Sequence, residues 1–289
     1  MTAIILDGEA LAAEIKSELK GRVDALVAAG HIPGLGTLLV GDDGPSANYV
    51  AMKHRDCEAL GIGGESVHLP VDATQADVEA VIDRFNADPA IDAYLMQYPF
   101  PKHLDFESAM LRVDPTKDVD GLHPVNLGRL VQGVDAPIAC TPAGIQALLV
   151  RYGVELAGAY VVIVGRGLTI GRPLANLLSL KRAHANAAVT VLHTGVARER
   201  MKEICRSADV IVAAAGSPGL VTADMIKPGA AVIAAGVTFE GKRIVSDVAD
   251  DVALVAGHLS PRIGGVGPMT RAMLISNCVA AAERAVAGG

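Results

Sequence analysis

Tyr49 and Lys53 stand four residues apart in NYVAMKHRDCEALGI (48–62), a stretch that reads as helix. Side chains at i and i+4 share one helical face, so a phenol and an ammonium point the same way. That pair fits a dehydrogenase dyad in which the phenol donates a proton, a chance surface pair, or another chemistry that needs a lysine for proton transfer. A lone lysine on a helix is usually solvated, so the pair decides nothing by itself.

A second stretch with chemical content is GRGLTIG (165–171), which follows an apolar run and opens a helical pattern. Glycines here let the backbone approach a pyrophosphate, and a helix N-terminus offers free N–H groups. The spacing is Gly-x-Gly-x-x-x-Gly, so an ordinary strand-to-helix turn also fits. The next strand ends LHTG, with His193 and Thr194 where a NAD site usually has an acid for the ribose 2′-hydroxyl. Arg166 in the glycine turn could grip a 2′-phosphate with two hydrogen bonds, which favours NADP. Arg166 as an exposed arginine capping the loop is the other reading.

The elements that must position these groups follow from composition and pattern. The chain has 289 residues, enough for about two domains. It is 51% hydrophobic and 20% charged, as a packed globular protein is, and only 3% aromatic. Ala, Val, Leu, Ile and Gly in such excess suit parallel strands covered by helices on both faces. A net charge of −7 without a basic cluster excludes nucleic acid as a partner. Four widely spaced cysteines read as reduced and buried in a cytosolic protein, and no histidine falls in a metal-binding repeat, so no metal is expected. The N-terminus lacks a signal-peptide pattern and no apolar run reaches membrane-spanning length, so a soluble, cytoplasmic location without a membrane partner is expected.

Helical spacing covers 8–29 and 74–86, with strands at 34–41 and 91–97; the helix carrying Tyr49 and Lys53 is entered through Pro45. The prolines after Gln97 stop its strand, placing Gln97 at the carboxyl end, where ligands of open α/β sheets bind. A helix starting at Pro142 leads into strands at 159–165, 187–193, 208–216 and 229–236, and 270–289 is an Ala-rich helix. The expected division is 1–138 plus 270–289, carrying Lys53, and a Rossmann-like dinucleotide domain over 139–269 with a parallel sheet. The Tyr-Lys pair precedes the glycine turn and lies in the other domain. A short-chain dehydrogenase has the reverse order, so that reading fails.

Over essentially its whole length the chain resembles bifunctional methylenetetrahydrofolate dehydrogenase/methenyltetrahydrofolate cyclohydrolases. Six blocks in the same order carry the resemblance: PGLGTLLVGDDGPSANYVAMK (33–53), QYPFP (97–101), PTKDVDGLHPVNLGRL (115–130), CTPAGIQALL (140–149), VVIVGRGLTIGRPLANLL (161–178) and GGVGPMTRAML (264–274). The resemblance implies that Tyr49 stacks on the aminobenzoyl ring of the folate and that Lys53 is the essential group of the cyclohydrolase step. It implies that Gln97 hydrogen-bonds Lys53 and that Asp120, the second acid of the Lys-Asp-Val-Asp-Gly block, holds the pterin. Lys53, Gln97 and Asp120 are then the catalytic set, with Tyr49, Gly265 and Pro268 completing the substrate site. Gly165, Arg166, Gly167, Gly171, Thr194 and Val237 make the cofactor site.

The chemistry agrees. A lysine against a desolvated wall beside a cationic methenyl group can transfer protons near neutrality, and a carboxylate matches the paired donors of a pterin edge. Asp120 read alone fits a turn or cap equally well. The resemblance implies oxidation of 5,10-methylenetetrahydrofolate with NADP, hydrolysis of the product to 10-formyltetrahydrofolate, folate in a cleft between domains, and a homodimer. Four positions depart from the family pattern. Gly167 replaces a common Ser, HTGVA (193–197) a more polar stretch, and VIAAGVT (232–238) lacks an Asp; Tyr98 and Phe100 replace smaller aliphatics beside Gln97. The last change makes a monofunctional dehydrogenase the nearer rival; a non-catalytic nucleotide- or folate-binding regulator is the further one.

Overall fold

The computed structural model describes residues 3–241 and 243–288. The chain separates into two compact units. The Tyr49 unit comprises Glu14–Arg129, Asp135–Ile138 and the residues from Arg271 onward; the Gly165 unit comprises the residues up to Ala13, Leu130–Val134 and Ala139–Thr270. The strands in chain order are β1 (Ile4–Ile5), β2 (Gly34–Val40), β3 (Gly63–Leu69), β4 (Ala93–Met96), β5 (Tyr160–Val164), β6 (Ala188–Leu192), β7 (Val210–Ala213), β8 (Ala231–Ala234), β9 (Val237–Glu240), β10 (Arg243–Ser246) and β11 (His258–Leu259).

In the Tyr49 unit β2 lies between β3 and β4, all parallel. Every residue of β2 is buried, as a central strand covered on both faces requires. Leu38, Ile82, Phe85 and Tyr94 form its core, and each fully buried apolar side chain contributes about 1.5–3 kcal/mol. A Cβ on Gly36 would lie 2.8 Å from the Tyr94 Cβ, so the glycine in mid-strand makes room for that ring. The helix Gln75–Ala87 starts from a capping box in which Thr74 and Asp77 satisfy one another's backbone N–H groups.

The Gly165 unit holds a six-stranded sheet in the order β1-β11-β8-β7-β5-β6, parallel throughout. The chain leaves β5 for β6 on one side and returns to β7 on the other, so the direction of winding switches at β5. In open α/β sheets the crevice at that switch, at the carboxyl ends, takes the ligand. Beneath it Val162, Ile211 and Val232 are fully buried. The antiparallel pair β9–β10 is an addition the sequence pattern did not announce.

Two helices begin earlier than expected. The helix expected at Pro142 spans Cys140–Arg151, with the proline in its first turn, where a missing N–H has no intrahelical acceptor anyway. The last helix spans Val266–Gly288 and so includes Pro268 in its first turn. In the Tyr49 unit this helix is held by Asn277, whose Nδ2 donates to the carbonyls of Val119 and Ile138 at 2.9 and 3.0 Å, and by the Arg22–Glu283 pair. All four cysteines are buried.

Candidate active site

The helix Gly44–Glu58 places Tyr49 and Lys53. Asp43 caps it by accepting from the Ser46 N–H at 3.0 Å, and a proline in the first turn pre-sets the backbone. His54 ties the helix to the sheet through a 2.8 Å contact between its Nε2 and Thr37 Oγ1 of β2. Lys53 faces inward and is only 5% exposed. Its Nζ donates to Gln97 Oε1 at 3.2 Å and stands 5.5 Å from the centroid of the Tyr49 ring, a cation–π distance. Gln97 follows β4, and its Nε2 donates to the Tyr98 carbonyl at 2.9 Å, which fixes the amide with its oxygen toward the lysine.

Asp120 reaches this cluster through the sheet. Tyr94 donates its N–H to the Lys117 carbonyl and accepts from the Val119 N–H, so 117–119 runs alongside β4 in a parallel bridge with Tyr94 opposite Asp118. Asp120 follows two residues further, in a bend, close enough for its charge to act on Lys53 and Tyr49. The buried Asp118 carboxylate holds the turn by accepting from Gly121 N at 3.1 Å, His123 N at 2.8 Å and Asn126 Nδ2 at 2.9 Å. Asp120 itself has no hydrogen-bond partner among the described residues, which leaves its carboxylate available to a ligand. Burial pushes that carboxyl above its ordinary pKa; the Lys53 ammonium opposes the shift and Asp118 adds to it. The Tyr49 phenol is raised for the same first reason, with Arg271 opposing and Asp120 adding. An amide oxygen, an ammonium, an aromatic face and an unpaired carboxylate therefore share one site.

In the Gly165 unit the glycine turn follows β5 directly. A Cβ on Gly165 would sit 2.1 Å from the Ala214 carbonyl oxygen, and one on Gly171 would sit 2.2 Å from the Gly165 oxygen, so only glycine lets these backbones pass. Gly165 also has φ +138°, which other residues rarely adopt. Gly167 faces open space, where a side chain would be accommodated. The helix Gly171–Ser179 opens at the last glycine. A cavity of about 240 Å³ lies beside the carboxyl ends of β5 and β6, and His193, Thr194, Arg198, Ala215 and Ser217 are among its lining residues. Arg166 is exposed, with Nη1 3.5 Å from His193 Nε2, while His193 Nδ1 accepts from Gly195 N at 3.1 Å.

Residues 6–120 match the model of the tetrahydrofolate dehydrogenase/cyclohydrolase catalytic domain, and residues 139–286 match that of the NAD(P)-binding domain of the same enzymes. The chain belongs to the tetrahydrofolate dehydrogenase/cyclohydrolase family. Among its relatives is the bifunctional protein FolD of Syntrophotalea carbinolica, 50% identical over 283 residues, which are 98% of this chain and 97% of the relative. A solved structure of the Campylobacter jejuni bifunctional enzyme FolD is 37% identical with a TM-score of 0.93, covering 98% of this chain and 99% of that one. The Trypanosoma brucei dehydrogenase-cyclohydrolase, solved with NADP and an inhibitor, is 38% identical with a TM-score of 0.93 over 99% of each chain.

Within this family's framework the structure gathers Tyr49, Lys53, Gln97 and Asp120 in one unit. Gly265 and Pro268 lie in the other, both buried; a Cβ on Gly265 would meet the Pro261 carbonyl at 2.3 Å. Gly165, Arg166, Gly167, Gly171 and Thr194 stand at the glycine turn and the cavity, and Val237, 39% exposed, opens β9. Sequence reasoning missed Arg198, Ala215 and Ser217 as cavity residues. Their only signal was position, just after the ends of successive strands. It also passed over Asp118, the first acid of the block, which shapes the turn that presents Asp120. No group of side chains suited to hold a metal occurs among the described residues.

Proposed function

We infer that this protein oxidises 5,10-methylenetetrahydrofolate to 5,10-methenyltetrahydrofolate with NADP and hydrolyses the product to 10-formyltetrahydrofolate. The observation that carries the residue roles is the buried Lys53 ammonium, held between Gln97 Oε1 and the Tyr49 ring beside an unpaired Asp120. Asp120 would anchor the pterin's paired N–H donors, and Tyr49 would carry the aminobenzoyl ring on its face. Hydrolysis adds water to the methenyl carbon, loses a proton, and opens the bond to N5. Lys53 would take part in moving that proton, and Gln97, whose Oε1 accepts from its Nζ, would hold it in place. Hydride transfer needs no protein acid or base, so the chain's contribution to it is orientation and exclusion of water.

The residues of the Gly165 unit fit a dinucleotide. The missing side chains of Gly165 and Gly171 leave the close approach a pyrophosphate needs, beside the start of the helix Gly171–Ser179. The exposed Arg166 guanidinium, with Nη1 3.5 Å from His193 Nε2, would hold the 2′-phosphate of NADP. NADP bound there would supply the hydride acceptor. Gly265 and Pro268 would complete the folate site, and Val237 the cofactor site. A homodimer in the cytoplasm goes with this reading, supported by the family resemblance; sedimentation of the purified protein checks the first part.

The test is one preparation with two assays: reduced-cofactor absorbance with methylenetetrahydrofolate and NADP, then decay of methenyl absorbance without cofactor. Absence of either reaction in folded protein would refute the bifunctional assignment.

A further inference from the structure

We propose that Asp247, which has no part in the reading above, is a positioning residue for the dinucleotide: its buried carboxylate holds the turn after β7 in the shape that receives the cofactor. The proposal rests on the assignment of the NADP site to the carboxyl ends of β5, β6 and β7.

Ala215, Gly216 and Ser217 leave the sheet just beyond β7. Their successive N–H groups converge on one side chain: Ala215 N and Gly216 N donate to Asp247 Oδ2 at 2.7 and 2.9 Å, and Ser217 N donates to Oδ1 at 2.6 Å. Consecutive N–H groups aimed at one point form an anion-binding concavity, and the anion in this one belongs to the chain itself. Asp247 has no solvent exposure. Its backbone is clamped on both sides, its N–H donating to the Gly236 carbonyl at 3.0 Å and its carbonyl accepting from Val221 N at 2.9 Å. The surroundings are shaped to the carboxylate as well: a Cβ on Gly236 would lie 1.9 Å from Oδ2.

The far side of the turn faces the cofactor site. Ala215 and Ser217 line the same cavity as His193, Thr194 and Arg198, and the Ala214 carbonyl is the atom that crowds Gly165. The turn therefore touches both the glycine turn and the cavity, and its conformation is set from behind by three charge-assisted hydrogen bonds. Neither the strand pattern nor the glycine spacing would hold it there, because N–H groups past a strand end have no ladder partner.

Two variants test this from opposite sides. Asp247→Asn retains one acceptor oxygen and turns an NH₂ toward a donor, so at least one of the three N–H groups loses its partner. Gly236→Ala leaves the carboxylate intact but displaces it. In both, KM for NADP should rise roughly tenfold or more, as loss of a charge-assisted hydrogen bond implies. The kcat at saturating NADP should change far less, and methenyl hydrolysis, which uses no dinucleotide, should stay within about twofold. The double variant should show less than the product of the two effects, since both break the same contacts.

Three results would overturn the proposal: an NADP KM within about twofold of the parent's in folded variants, hydrolysis falling in step with dehydrogenation, or no folded protein from either variant, which would mark a fold lock. A parent without NADP-dependent dehydrogenation would instead sink the assignment of the site. An active parent with indifferent variants sinks this proposal alone.

Discussion

Lys53 Nζ stands 3.2 Å from Gln97 Oε1, although the two residues are separated by 44 positions and rise from a helix and a strand end. The amide can hold either a charged or an uncharged amine, because its oxygen accepts and needs no charge on the donor. That tolerance would suit a lysine that exchanges a proton during turnover, as proposed for Lys53.

Lys53→Met keeps the aliphatic length and removes the titratable nitrogen. Methenyl hydrolysis should fall by at least the ~10²-fold typical of a lost acid–base group. Dehydrogenation should fall less, since the lost side chain also shapes the site. Both rates are measured on one folded preparation; full hydrolysis in this variant removes Lys53 from the mechanism.

Tyr49→Phe should retain most of both activities. The ring face meets the Lys53 ammonium at 5.5 Å and, on the proposed reading, would meet the substrate. The phenol is also held protonated by burial, which makes it a poor source of a catalytic proton. A dead dehydrogenase in Tyr49→Phe would restore the proton-donor role rejected from sequence order.

Asp120→Ala should weaken folate binding by roughly ten- to a hundredfold, the cost of a lost charge-assisted hydrogen bond, and so hurt both reactions. Stability should move the other way. Burial raises the Asp120 pKa above its ordinary 3.8, so the folded state holds the proton more tightly than the unfolded chain does. Its stabilising contribution is full below the ordinary value and is lost as pH rises through the folded-state value; beyond that the desolvated charge is a cost. Without substrate, Asp120→Asn should melt above the parent at neutral pH, with the gap closing toward pH 4. Thermal melts across that range, alongside folate titration, check both halves.

Arg166→Ala should weaken NADP far more than NAD, because only NADP carries the 2′-phosphate that the exposed guanidinium would meet. Paired KM values for the two cofactors decide it. Equal losses would reduce Arg166 to a capping residue of the turn.

Much of this site was legible because its parts are local in sequence. Tyr49 and Lys53 needed only the helical repeat, and Gly165 and Gly171 only the strand-to-helix context. What stayed hidden depends on long-range meetings. β3 escaped because GGESVHL is a half-exposed edge strand without an apolar run. β1 and β11 are two residues each, below any periodicity. Asp118 was passed over, because only its three hydrogen bonds show that one acid of the block builds the turn that presents the other. Arg198 and Ser217 approach a common cavity only after β6 and β7 have been laid on either side of β5.

The bridge between Tyr94 and Asp118 moors the acid-bearing turn to the strand that ends just before Gln97. A shift of β4 along its axis would carry the lysine's hydrogen-bond partner and the root of that turn together. Substitutions beneath the strand would move the two as one body, whereas a change within the turn would move Asp120 alone.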